Sequence, residues 1–299
     1  MKTMAIIQAR MGSMRLPNKV MMKINNIPMI EIIFSRLKRA KNIDKLVLAT
    51  SRSKINEELK THVKSLGFDC FSGDENDVLD RFYKVSKLYK YDIIIRITGD
   101  CPLVDPEIVD TMIENFKSKK FDYYANTLPP TFPDGLDVEI FSAKILEEVW
   151  KKAFKKLHRE HVTPFIYESN QYKLGNFKNF DDLSHLRLTV DEMEDYKVIN
   201  NIFNYFKTDI YFSWKSVYDL YKKKPSLFKP NKHLARNEGS VMTNGQKLWK
   251  RAKKAIPGGN MLLSKRPDMF LPGKWPTYFS KAKGCYVWDL DNKKYIDMS

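Results

Sequence analysis

Residues 91–98, YDIIIRIT, constrain the fold most strongly. A run that is nearly apolar throughout suits a strand covered on both sides, as at the centre of a parallel sheet. It closes a regular alternation. Short apolar runs at 5–7, 45–50 and 69–72 read as strands, and segments 27–40, 54–66 and 77–89 carry helical spacing between them. In the last of these, Val78, Phe82, Val85 and Leu88 fall in step. A further helix is expected at 106–116, with Asp105 placed to cap its first turn. The order β-α-β-α-β-α predicts an α/β fold with a doubly wound, mostly parallel sheet. Such sheets bind ligands at the C-terminal ends of their strands. The loops after Ile7, Thr50, Ser72 and Thr98 are therefore the expected site.

Further on, 131–141 reads as a Pro-Asp-Gly turn and then a strand with Val138 and Ile140 on alternate positions. Helices are expected at 143–154, 195–206 and 213–222, and a short strand at 186–190 runs into Asp191. Residues 222–240 hold two prolines, a glycine and many cations, the composition of a linker. The expected division is a first domain at 1–228, a linker at 229–245 and a further piece at 246–299. That piece reads as a helix at 246–255, a turn at Pro257-Gly258-Gly259 and a hairpin at 284–295 around Asp291-Asn292. It is too short for an α/β core of its own.

The chain has 299 residues and a formal charge of +16, which first suggests a nucleic-acid binder. The distribution weakens that reading. Residues 1–206 hold 32 Lys and Arg against 29 Asp and Glu, whereas 207–299 hold 20 against 7. The excess is read as a solvated face, or the surface of an incomplete domain, rather than a nucleic-acid patch. Cys70, Cys101 and Cys285 lie far apart, which gives neither a disulfide framework nor a metal quartet and suits a reducing cytoplasm. No stretch approaches the roughly 20 apolar residues of a membrane span, and the N-terminus has no leader pattern. A cytoplasmic protein without membrane or nucleic-acid partners is expected.

Three constellations could carry chemistry. Gln8, Arg10, Gly12, Ser13, Arg15 and Lys19 follow the first strand. A glycine-containing loop can offer backbone N–H groups to a triphosphate, and cations can hold the charge that develops as pyrophosphate leaves. The loop is neither GxxxxGK[ST] nor GxGxxG, and a plain basic surface loop is the alternative. Asp100, at the tip of the apolar strand after Thr98 and Gly99, is placed to hold Mg²⁺ against phosphates, with Asp191 as a candidate partner. Both could instead be capping residues. Asp134, Asp137 and Glu139, with Arg159, His161, His185 and Arg187, mix acceptors and cations in a way that suits a hydroxylated, phosphorylated or carboxylated substrate, with a structural hydrogen-bonding role as the alternative for each residue taken alone. His158-Arg159-Glu160-His161 is not HExxH, so a zinc-protease reading fails.

Six segments in order, IIQARMGSMRLPNKV, FSGDENDVLDRFY, RITGDCPLVDPEIVD, NTLPPTFPDGLDVEIF, REHVTPFI and LSHLRLTVDEMEDY, give residues 4 to about 206 a close resemblance to a family. It is the spore-coat polysaccharide biosynthesis F-type cytidylyltransferases, relatives of the CMP-Kdo and CMP-sialic acid synthetases. The resemblance implies the nucleotide-diphospho-sugar transferase (Rossmann-like) fold. It also implies transfer of CMP from CTP to a phosphorylated sugar or polyol, or to an acidic sugar, with release of pyrophosphate. By motif match, Ala9, Arg10, Gly12, Ser13, Arg15 and Lys19 bind the nucleotide, Ser72, Gly73 and Asp74 lie on its base side, and Asp100 and Asp191 hold Mg²⁺. The segment from Asp134 to Glu139 faces the acceptor. Asn18 stands where many members have glycine. A homodimer is expected.

Two later segments, GQKLWKRAKKAIPGGNM and KAKGCYVWDLDNKKYIDM, resemble the extreme N-terminus of class III pyridoxal-phosphate aminotransferases. The cofactor-binding part of that family lies further on and is absent here, so pyridoxal phosphate belongs only to the missing part. Guanylyl or uridylyl transfer remains open, as does a non-catalytic nucleotide-binding module fused to an aminotransferase.

Overall fold

The computed structural model describes residues 1–13, 15–236, 243–260, 266–269 and 276–297. They fall into two compact units, Met1–His233 and Leu234–Ser299.

The first unit is built on a seven-stranded sheet in the order β5-β4-β1-β6-β8-β7-β9. The strands are β1 (Thr3–Gln8), β4 (Lys45–Ser51), β5 (Asp69–Gly73), β6 (Ile93–Thr98), β7 (Tyr123–Ala125), β8 (Glu139–Ser142) and β9 (Leu174–Asn176), while β2 (Lys23–Ile24) and β3 (Ile27–Pro28) form a separate small hairpin. β5, β4, β1 and β6 are parallel, β8 runs antiparallel to β6 and β7, and β9 is parallel to β7. The first crossovers build the sheet outward from β1 to β4 and β5, and the chain then returns to β6 on the other side of β1. The strand order therefore reverses between β1 and β6, where such a sheet leaves a crevice at its C-terminal edge.

Alternate side chains of the central strands enter opposite cores, as the two-residue period requires. Ala5, Ile7, Ile93, Ile95 and Ile97 face one core with α1 (Met29–Leu37), α2 (Glu57–Ser65), α4 (Pro106–Lys119), α8 (Met193–Phe206) and α9 (Trp214–Lys223). Met4, Ile6 and Ile94 face the other, with α3 (Val78–Tyr89), α5 (Ala143–Lys152) and α7 (Pro164–Glu168); α6 (Lys156–His161) precedes α7. The two-sided covering anticipated for residues 91–98 is what the molecule has.

Several local expectations change. Residues 186–190 are not a strand: Arg187 makes only an isolated bridge with Asp134. Their backbone is used elsewhere, since Val190 N–H donates to Asp100 O (2.8 Å), Leu188 N–H donates to Asp134 O (2.6 Å) and Leu186 O accepts from Asp134 N–H (2.8 Å). Leu88 is exposed although it falls in the helical register of α3. β7, β9, α6 and α7 escaped the sequence reading because they are too short for periodicity to register. The cationic stretch after 222 is not all linker, because Pro225–Asn231 forms a 3₁₀ turn with Phe228 and Asn231 buried.

Two devices steady the loop after β6. Buried Arg36 donates to four carbonyls, Val104 O (2.8 Å), Leu103 O (3.5 Å), Ile210 O (2.5 Å) and Phe212 O (3.0 Å). Burial lowers its pKa to about 10. Asp105 caps α4 as expected, accepting from Glu107 N–H (2.9 Å) and Ile108 N–H, and also takes Trp214 N–H at 2.9 Å.

In the second unit, α10 (Asn244–Ala255) starts from a Thr243–Gln246 capping box. β10 (Phe279–Lys283), β11 (Tyr286–Asp289) and β12 (Lys294–Ile296) form an antiparallel sheet. Its β11–β12 turn contains Asn292 at φ 64°, on the Asp291-Asn292 pair read from the sequence, and Gly258 and Gly259 turn at positive φ.

The two loops at the strand-order reversal touch. Gly99 N–H donates to Gln8 O (2.8 Å), and a Cβ at position 99 would stand 2.5 Å from Ala9 Cβ. Gly99→Ala should therefore lower stability in urea by about 1–3 kcal/mol, the usual cost of overpacking. Gly12→Ala, whose Cβ would meet only Glu75 Oε1 at 3.6 Å, should stay within about 0.5 kcal/mol of wild type.

Candidate active site

The loop after β1 is pinned before it reaches its cations. Ala9 N–H donates to Ala49 O (3.3 Å), and Met11 N–H donates to Asn56 Oδ1 (2.8 Å), itself held by Ser51 Oγ. Ser13 and Asn18 both donate backbone N–H to Met11 O, at 2.9 and 3.0 Å. Asn18 sits at φ 58°. This left-handed conformation favours glycine, and Asn is among the side-chain residues that tolerate it best. The loop therefore keeps its turn without the glycine common at this place in the resembling family.

The turn delivers Lys19 to the centre of the crevice. Its ammonium donates to Asp100 Oδ2 (2.9 Å), Asp191 Oδ1 (2.8 Å) and the Val190 carbonyl (2.9 Å), which uses its three donors. Arg15 Nη2 lies 2.7 Å from the same Asp191 oxygen. Burial works against charge on Lys19, but Asp100 and Asp191 outweigh it and raise the lysine pKa. Burial likewise opposes charge on Asp191; Lys19, Arg15 and Arg187 overcome it and hold the carboxyl well below its usual range.

Behind Asp191 stands a buried guanidinium. Arg187 donates from Nη1 to Asp134 Oδ2 (3.0 Å), from Nε to Asp195 Oδ1 (2.8 Å), and from Nη2 to Asp195 Oδ2 (3.0 Å) and Asp191 Oδ2 (3.2 Å). Asp195 Oδ2 also accepts the backbone N–H groups of Asp191 and Glu192, both at 3.0 Å. Asn231 closes the network, donating 2.9 Å bonds to Asp195 Oδ1 and Arg187 O. Arg187, read from sequence as an acceptor contact, here braces Asp191 and Asp134. Asp195 and Asn231 went unnoticed in the sequence. Asp195 lies four residues after Asp191 at a helix start, a spacing that could have flagged it, whereas nothing local marks Asn231.

The other expected residues are dispersed along the same edge. Arg10 is partly exposed and pairs with Glu75 (3.1 Å). Gly73 ends β5 against the buried side chain of Arg81: a Cβ there would lie 2.4 Å from Arg81 Cγ. Exposed Asp74 accepts from the N–H groups of Asn76 (2.8 Å) and Asp77 (3.0 Å). Ser72 is half-buried in β5 beside Thr50. Gln8 Oε1 accepts from Arg96 (3.2 Å), and Thr98 Oγ1 lies 3.2 Å from Cys101 Sγ. Glu139 is engaged with Arg96, Tyr123 OH (2.6 Å) and Thr163 Oγ1 (2.8 Å). Arg159 grips Asp77 Oδ2 (2.9 and 2.5 Å) and Trp150 O. Asp137 and His161 are half-buried. Of the expected set, Arg15, Lys19, Asp100, Asp134, Arg187 and Asp191 come together in one cluster.

Among the described residues no group of three His, Cys, Asp or Glu side chains could hold a metal by itself. Asp100 and Asp191 offer hard carboxylate oxygens with one shared cation between them. That donor set fits a divalent ion completed by phosphate and water oxygens, for Mg²⁺ commonly takes only one or two protein carboxylates.

The sequence profile described as Cytidylyltransferase matches residues 4–247. The chain belongs to this family. As a cytidylyltransferase it is 39% identical over 233 residues to the uncharacterized protein MJ1063 of Methanocaldococcus jannaschii, covering 76% of this chain and 93% of that one. It is 36% identical over 206 residues to the spore coat polysaccharide biosynthesis protein SpsF of Bacillus subtilis, covering 66% and 85%. A solved cytidylyltransferase from Leptospira borgpetersenii superposes with TM-score 0.74 at 33% identity, over 77% of this chain and 97% of that one. CMP:2-keto-3-deoxy-manno-octonic acid synthetase complexed with CTP superposes with TM-score 0.53 at 16% identity, over 69% and 100%, and shares the fold. The cytidylyltransferase profile ends near the start of α10, so residues 248–299 lie outside it. No helix among the described residues is long and apolar enough to cross a membrane.

Removing Arg187 from this cytidylyltransferase would take from Asp134, Asp191 and Asp195 the buried cation they share. Arg187→Ala should cost about 3–5 kcal/mol in urea unfolding at pH 7. Asp191 has a depressed folded pKa, so its stabilisation is complete above about pH 4 and is lost as pH falls towards the folded value. The gap between variant and wild type should accordingly narrow between pH 7 and pH 3.

Proposed function

We propose that the protein transfers CMP from CTP to a phosphorylated sugar or polyol, or to an acidic sugar, releasing pyrophosphate for surface polysaccharide or glycan synthesis. The observation that carries this reading is the Lys19 ammonium set between Asp100 and Asp191 at the strand-order reversal, with Arg15 on the same carboxylate. It places cations and hard oxygen ligands together, which a triphosphate bound with a divalent cation needs. Family membership supports cytidyl transfer, and the names of the SpsF and CMP-Kdo synthetase relatives support a glycan product.

In the proposed reaction an acceptor oxygen attacks the α-phosphorus in line, the bond to the bridging β-phosphate oxygen breaks, and pyrophosphate departs with the electron pair. A phosphate acceptor is already ionised and needs no base; an anomeric hydroxyl must give up its proton. Arg10, Arg15 and Lys19 would neutralise the phosphate oxygens as charge moves to the leaving group. The pinned loop backbone from Ala9 to Ser13 would orient the donor, with Gln8 and Thr98 at its floor and Ser72, Gly73 and Asp74 towards the base. Asp100 and Asp191 would hold Mg²⁺, which supplies further neutralisation across the phosphates when bound. Asp134, Asp137, Glu139, Arg159 and His161 are the side chains proposed to line the acceptor's approach. Arg187 acts from behind them, on Asp134 and Asp191.

The aminotransferase-like character of 246–299 rests on its sequence motifs, and it points to an amino-bearing acceptor. A homodimer in the cytoplasm belongs to the same proposal.

Pyrophosphate release tests the reading. With CTP and Mg²⁺, a panel of sugar phosphates, alditol phosphates and ulosonic acids should contain an acceptor that gives stoichiometric pyrophosphate; no release with any acceptor, despite CTP binding, would favour a non-catalytic module. Asp100→Asn should lower kcat by about 100-fold or more, as loss of one electrostatic contact at a reacting phosphate does. Near-normal turnover would remove Asp100 from the site. GTP or UTP turning over faster than CTP would overturn the cytidyl assignment.

A further inference from the structure

Lys19 is placed where its removal, rather than its presence, favours a cation. The ammonium spends all three donors on Asp100, Asp191 and the Val190 carbonyl, so it has none to give a phosphate without leaving at least one of them. Asp191 is still more heavily committed. One oxygen takes Lys19 and Arg15, and the other takes Arg187. The two carboxylates therefore lie among three cationic side chains in the free protein. A bare divalent ion arriving there meets repulsion from those cations and oxygens already hydrogen-bonded.

We infer that Lys19 and Arg15 are resident counter-ions of the Asp100–Asp191 pair, which exchange onto the triphosphate and so admit the divalent cation only together with the nucleotide. This rests on the reading of Asp100 and Asp191 as the cation-holding carboxylates and adds an order to it. A triphosphate brings negative charge of its own. It draws Lys19 and Arg15 away from the carboxylates, and the freed oxygens take the cation that the phosphates also bind. Arg187 stays in place, because Asp134, Asp195 and the Asn231 bonds hold it from behind. The lysine thereby selects the form of the substrate: the metal–nucleotide complex is accepted, and neither component alone binds as well as the two together. Coupling of this kind is reciprocal and usually amounts to about 5–150-fold.

The test is Mn²⁺ binding followed by the loss of free-ion paramagnetic resonance signal, which needs no turnover. Wild-type protein should bind Mn²⁺ alone at least about fivefold more weakly than in the presence of saturating CTP, after correction for Mn²⁺ held by CTP itself. Equal affinity in the two conditions, with CTP shown to be bound, would overturn the inference, and this comparison needs no variant to fold. Lys19→Met should bind Mn²⁺ alone about tenfold or more tightly than wild type, within the same coupling range, while binding CTP more weakly. Lys19→Arg, which keeps the charge, should leave Mn²⁺ binding weak. A gain in Lys19→Met that persists in Lys19→Met/Asp191→Asn would place the ion elsewhere and contradict the proposal, as would unchanged or weaker Mn²⁺ binding in Lys19→Met. Wild-type protein that binds no CTP with or without Mn²⁺ would sink the functional reading instead, and the Mn²⁺-only comparison of Lys19→Met would still stand by itself.

Discussion

The candidate site depends on one ammonium buried between two carboxylates. Lys19 joins the loop after β1 to the loop after β6 through Asp100, and to the approach to α8 through Asp191. These three segments lie far apart in the chain, and backbone bonds such as Gly99 N–H to Gln8 O and Val190 N–H to Asp100 O tie them further. An ion pair of this kind loses much of its Coulomb gain to desolvation. It persists here because each partner is braced from another side. Arg187 and Arg15 brace Asp191, and the β1–β6 contact at Gly99 brings the Asp100 loop against β1. Arg36 and Asp105 hold the chain that follows, through carbonyls and an N-terminal cap.

The bracing explains why the site is a fixed arrangement on a rigid scaffold. Four parallel strands with both faces buried supply the base, and the strand-order reversal opens the crevice between β1 and β6. The buried charges there are paired with one another and with the backbone. Asp195 alone accepts from a guanidinium, two backbone N–H groups and the Asn231 amide. Such a network tolerates few substitutions, since losing one partner strands the others. Arg15 meets the cluster through Asp191, whereas Lys19 is held by both carboxylates and by the Val190 carbonyl.

Much of this was legible in the amino-acid order because local rules and the final fold agree. The apolar run of β6, the turn-rich loop after β1 and an aspartate at a strand tip need only periodicity and strand polarity to be read. Asp105 could be assigned as a cap from its place before Pro106, and Asn292 from its turn chemistry. The failures share a cause, which is dependence on distant partners. Residues 186–190 look like a strand, yet their backbone bonds go to Asp100 and Asp134, so they become a tie between loops. The bracing by Arg187 has no local signature either, because its carboxylate partners at 134, 191 and 195 are gathered only by folding. Asn231 falls in a stretch whose composition suggests a linker, and its bonds to Asp195 and Arg187 O have no local signature. The partners of Glu139 and Arg159, which are Arg96 and Asp77, are likewise met through packing that periodicity does not report.

The central claim is that the Asp100–Asp191 pair exchanges an ammonium for a metal-bound triphosphate. Anomalous diffraction from crystals grown with CTP and Mn²⁺ tests it most directly. The account predicts a manganese peak bound by Asp100 and Asp191 and by phosphate oxygens, with Lys19 moved onto the triphosphate and Arg187 unmoved. A nucleotide bound with Lys19 still bridging the two carboxylates, and manganese elsewhere, would contradict it.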